Sequence, residues 1–117
     1  MLSWELMVNA RSHPGEAADH AVEPIAGLDE LAHALLTLRT RDEVKRFLRD
    51  LCTLPELEAL AHRWKTVQLL EQGVPYVEIA EQVPTSTATV TRVSQWLRHG
   101  TGGYRIALDR VGKEGHR

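Results

Sequence analysis

Apolar side chains recur every three or four residues from Leu28 onward, and the period is helical throughout. Leu28, Leu31, Leu35 and Leu38 form one stripe and predict a first helix over residues 29–38. Val44, Phe47, Leu48 and Leu51 repeat at i, i+3, i+4 and i+7 and predict a second helix over 41–52, opened by the capping pair Thr40 and Glu43. Thr53 and Glu56 make another such pair, and Pro55 fits in the first turn because its missing amide proton would have no partner there. A third helix is therefore expected up to Gln72, with Leu57, Leu60, Ala61, Trp64, Val67 and Leu70 inward and Gly73 as its stop. Residues 73–98 read as a short helix, a sharp turn and a second helix. Ile79 and Ala80 should face inward, Ser86 should cap the second helix, and Val90, Val93 and Leu97 should line its inner side. His99-Gly-Thr-Gly-Gly then breaks the chain before a last short helix, Tyr104 to Val111. Six helices and no convincing strand define an all-α fold containing a helix-turn-helix.

The pattern stops on the N-terminal side of Leu28. Residues 1–27 mix Pro, Gly, charge and small side chains without a period, and are expected to be a disordered extension carrying a small Trp4, Leu6, Met7 and Val8 cluster. Residues 28–112 form the domain, and 113–117 are expected to be a flexible tail. The absence of a long apolar run or leader pattern, with a single cysteine, Cys52, points to a cytoplasmic protein with a buried thiol and no membrane partner.

Two further features bear on partners. A monomer of about 85 ordered residues has little interior in which to bury the stripes of the first two helices beside the third, which favours a homodimer over a compact monomeric bundle. A two-fold dimer would also present two recognition helices to double-stranded DNA about 34 Å apart, as helix-turn-helix dimers do. The net charge of −2 excludes gripping nucleic acid by bulk positive charge, but from Ser86 to Arg110 four arginines face one acid, Asp109. Ser86, Thr87, Ala88 and Thr91 are the candidates for base contact, their short side chains bringing backbone and groove close together. Thr85, Arg92, Gln95 and Arg98 are the candidates for phosphate contact.

Thr53-Leu-Pro-Glu-Leu-Glu-Ala-Leu-Ala-His-Arg-Trp, Glu78-Ile-Ala-Glu, Ser86-Thr-Ala-Thr-Val-Thr-Arg-Val and Gly102-Gly-Tyr-Arg resemble the Trp repressor superfamily, most closely its YerC/YecD-type branch. The resemblance covers about residues 29–110. It implies a Trp-repressor-like helical bundle, an intertwined dimer with interlocked N-terminal helices, and transcriptional repression through a palindromic operator. It also implies an effector site, since two arginines of the repressor sandwich the tryptophan corepressor and the matching positions here are Arg63 and Arg92. The neighbouring positions depart from the repressor. Val93 and Trp96 stand where it has Gly and Ser, and Trp96 is bulky enough to fill the slot with its own indole. The expectation is a repressor that binds DNA without tryptophan; any other small-molecule effector is unknown.

The turn departs as well, because Pro84 occupies a position commonly Gly in the family. Val83, which precedes it, should be extended, so the first helix of the pair should end by Gln82. That helix also carries Glu78 and Glu81 where a phosphate-gripping helix would carry cations. These features leave an alternative, a helical protein-interaction module that has lost DNA binding. Other chemistry is thin. The six histidines are scattered without metal-ligand spacing, and no nucleophile, base and orienter assemble from local motifs, so neither an enzyme nor a metal or other cofactor is expected. The run Arg39, Arg41, Lys45, Arg46 and Arg49 is interrupted by Asp42 and Glu43 and reads as the solvated face of the second helix.

Overall fold

The computed structural model describes residues 22–115, so the Trp4 cluster and the greater part of the expected N-terminal extension lie outside the described residues. Six helices follow in order: α1 Leu28–Leu36, α2 Arg41–Leu51, α3 Leu54–Glu71, α4 Tyr76–Gln82, α5 Thr87–His99 and α6 Gly103–Gly115. There is no strand among the described residues. The last helix runs past the expected Val111 and takes in 113–115, which were expected to be tail. None of these helices is long and apolar enough to cross a membrane. The chain divides into two compact units, one through Leu57 and one from Glu58, and the division falls within α3.

Local chemistry sets the helix ends in the first unit. Thr40 accepts the Glu43 amide at 3.1 Å and so caps α2, while the Glu43 carboxylate accepts the amide of Arg39 at 2.8 Å instead of closing the box on Thr40. At the start of α3 the box is reciprocal: Thr53 accepts from the Glu56 amide at 3.2 Å, and Glu56 accepts from the Thr53 amide at 2.7 Å. The latter bond holds the Glu56 carboxyl below its ordinary pKa. Helix α1 ends at Leu36, two residues early, and the Thr37 hydroxyl donates to the Ala34 carbonyl at 2.6 Å in its last turn. Neither α1 nor α2 contains a buried residue. Leu36 is 84% exposed, Leu51 53% and Leu54 54%.

The second unit closes a core of its own. Leu69 of α3, Ile79 of α4, Val83 and Val90 of α5 pack together with Leu70, Val74, Tyr76 and Ala80 around them. Ile79 and Val90 are wholly buried, and each such side chain removed from water stabilises the fold by about 1.5–3 kcal/mol. The inward face of α3 differs from the sequence expectation. Val67 is buried and Leu57, Trp64 and Leu70 are half-buried, but Leu60 and Ala61 are exposed, and Thr66 and Leu69 take core positions. Apolar residues lie on more than one side of this long helix, so periodicity alone did not select the covered side. Thr66 is tolerated there because its hydroxyl donates to the His62 carbonyl at 2.8 Å, leaving no unpaired polar atom.

Candidate nucleic-acid interface

Gly73, with φ near +79°, ends α3 in the left-handed conformation that glycine adopts without strain and turns the chain toward α4. Helix α4 ends at Gln82, and Val83 is extended at φ −107°, as a residue before proline should be. Val83 is also 2% exposed, so the turn residue is itself part of the core. Pro84 is accommodated with no positive φ between the helices. Ser86 then accepts the Thr89 amide at 3.1 Å and starts α5. Two short helices and a four-residue link are thus held over one apolar cluster.

A buried polar contact also joins them. The Tyr76 hydroxyl, at the first residue of α4, donates to the Ser94 hydroxyl in the middle of α5 at 2.7 Å. Ser94 is only 4% exposed, so without Tyr76 its hydroxyl would have no such partner in the interior. The sequence reading missed both residues. Their spacing of eighteen positions leaves no local signal.

On α5 the two faces separate. Val90, Val93 and Ser94 are buried and Leu97 is half-buried, whereas Ser86, Thr87, Ala88, Thr91, Arg92, Gln95 and Arg98 are exposed. Of the expected contact residues, only Thr85, in the turn, is half-buried. Helix α4 contributes no cation to this surface; Val77, Glu78, Glu81 and Gln82 are its exposed residues.

Arg63 and Arg92, matched to the repressor's sandwiching pair, line one cavity of about 490 Å³ together with Thr89, Val93, Trp96 and Tyr104. Trp96 does not fill it. Its indole stands 62% exposed at the wall and the cavity is open, which corrects the expectation that the side chain occupies the slot. A Cβ on Gly100 would run into the Trp96 carbonyl, so the chain passes closely by this residue at the end of α5.

Across the unit, Arg105 of α6 donates to both carboxylate oxygens of Glu71 at the end of α3, and lies 3.6 Å from Asp109. The Arg105 hydrogen bond holds the Glu71 carboxyl below its ordinary value and the guanidinium above its own. No group of His, Cys, Asp and Glu that could hold a metal occurs among the described residues.

Residues 26–112 match the Trp repressor protein family. The chain is 40% identical over 84 residues to the uncharacterized protein YerC of Bacillus subtilis, a match covering 72% of this chain and 81% of that protein. It is similar to the crystal structure of a TrpR-like protein from Eubacterium eligens, at 34% identity and a TM-score of 0.71 over 75% of this chain and 91% of the other. It is similar also to a candidate Trp repressor from Staphylococcus aureus, at 36% identity and a TM-score of 0.72 over 79% and 96%. With the family matched along 26–112 and a relative 40% identical over 84 residues, this all-helical chain belongs to the Trp repressor family.

Proposed function

We propose that this protein is a sequence-specific DNA-binding transcriptional regulator, a repressor that acts as a homodimer on a palindromic operator. The observation that carries the reading is the division of α5 into a buried face of Val90, Val93 and Ser94 and an exposed face of Thr87, Ala88, Thr91, Arg92, Gln95 and Arg98, held over α4 in a helix-turn-helix. Membership of the Trp repressor family supports it. The dimer is supported by the apolar side chains of α1 and α2, none of which is buried within a single chain. Arg92, Arg98 and Thr85 would neutralise or bond phosphates, while Ser86, Thr87, Ala88 and Thr91 would meet base edges.

Regulation without tryptophan is part of the proposal. Arg63 and Arg92 remain beside an open cavity, but Val93 and Trp96 line it where the repressor has Gly and Ser, so its walls are built of bulkier side chains than those around the repressor's tryptophan. Calorimetric titration with L-tryptophan is expected to give no heat of binding, and micromolar affinity would overturn that part. The acidic exposed face of α4, with Glu78 and Glu81, favours the second reading of a protein-interaction module. Selection of bound duplexes from a random pool, with the mass in solution measured alongside, separates the two. A regulator enriches palindromic DNA as a dimer, with affinity falling steeply as salt rises. A module enriches nothing, and that result would overturn the DNA reading.

A further inference from the structure

The tip of α5 carries an unusual set of side chains for a helix that reads bases. From Thr85 to Thr91 the residues are Thr, Ser, Thr, Ala, Thr, Val and Thr, so none is charged and none is longer than valine. The bidentate readers of guanine and adenine, Arg, Lys, Asn and Gln, are therefore missing from the first turns. Three of the five hydroxyls are engaged within the segment itself. Ser86 Oγ accepts the Thr89 amide at 3.1 Å and pairs with Thr89 Oγ1 at 3.1 Å. Thr91 Oγ1 donates its single proton to the Thr87 carbonyl at 3.0 Å. Thr87, Ala88 and Thr91 are all exposed, and each carries one methyl group.

Resting on the DNA reading above, we infer that the recognition helix reads thymine by its C5-methyl group, through the methyls of Thr87, Ala88 and Thr91. Among the four bases only thymine presents a methyl in the major groove, so an apolar patch there discriminates without a hydrogen bond. Arg92 and Arg98 flank the patch and supply phosphate contacts that carry no sequence information.

The test uses the full chain and a duplex that it selects from a random pool. Replacing each thymine in turn by deoxyuridine deletes the methyl and keeps the O4 acceptor. At one or more half-site positions the affinity should fall about fourfold, the worth of one buried methyl group. Thr91→Val, which keeps the methyl and removes the hydroxyl, should bind the thymine duplex as the parent does. Thr91→Ser, which keeps the hydroxyl, should lose the same factor and become insensitive to deoxyuridine at the contacted position. A selected duplex bound equally well with deoxyuridine at every position overturns the inference and leaves DNA binding standing. So does a Thr91→Val protein that fails on the thymine duplex while Thr91→Ser succeeds. Failure to select any duplex overturns both this inference and the reading beneath it.

Discussion

The helix-turn-helix and the α1–α2 segment are built from similar apolar stripes and treat them in opposite ways. In the former, Ile79, Val83 and Val90 are at most 2% exposed, and Leu69 closes the cluster beneath them. In the latter no residue is buried, and Leu36 and Leu51 are each more than half exposed. Residues 58–115 contain an apolar cluster that the single chain encloses, so the presentation of α5 needs nothing outside the unit. No residue of the α1 and α2 stripes is fully buried in one chain, and helices of nine and eleven residues are marginal in water without a face to pack on. Under the proposed dimer, a second copy supplies that face.

The comparison is most severely tested at the enclosed core. Ile79→Ala should cost about 2–5 kcal/mol of unfolding free energy through lost burial and the cavity left behind, measured by denaturant titration. The loss should be similar at every protein concentration, because the cluster lies within one chain; a loss confined to dilute samples would mean that the core depends on association. Leu36→Glu, at an 84% exposed position, should act the other way round. We expect sedimentation to show a weakened dimer and a melting temperature that drops at low concentration, with α5 retaining its slow amide exchange. An unchanged mass would remove α1 from the dimer surface.

A smaller effect sharpens the description of the enclosed unit. Tyr76→Phe should cost about 1–3 kcal/mol by leaving the Ser94 hydroxyl unpaired, and Ser94→Ala in the same protein should recover part of the loss. A double-mutant cycle with no coupling between the two would mean that the contact does not hold α4 to α5. The smallest effect is that of acid. Glu56 and Glu71 both have folded pKa values below the unfolded one, so their contributions are fully present above the ordinary carboxylate value of 4.5 and are lost as the pH falls through the depressed values. Both groups are exposed, so the change should be slight. Arg105→Gln should flatten the acid limb from Glu71 and leave that of Glu56, which capping by Thr53 sets separately. An acid limb identical in both proteins would show that the Glu71 pair contributes nothing.

Much of the candidate interface was legible in the chain because its determinants are short-ranged. Ser86, three residues before the amide it accepts, Val83 before Pro84, and Gly73 after the last turn of α3 each act within a few positions. The exposed Thr87, Ala88, Thr91, Arg92, Gln95 and Arg98 followed from the helical period once the buried side was marked by Val90 and Val93. In α3 the same reasoning failed for Leu60 and Ala61, since a helix with apolar residues on several sides does not announce which side its neighbours cover.

By itself, then, the sequence determined the six helices, their caps and the composition of the face that α5 exposes, because these rest on hydrogen bonds and periods spanning three or four residues. Only the tertiary structure decided that Trp96 stands at the wall of an open cavity with Arg63 and Arg92, that Tyr76 reaches Ser94, and that Arg105 clamps Glu71. Those contacts join positions up to 34 residues apart, and distances of that kind are set by how helices cross, which no local pattern encodes.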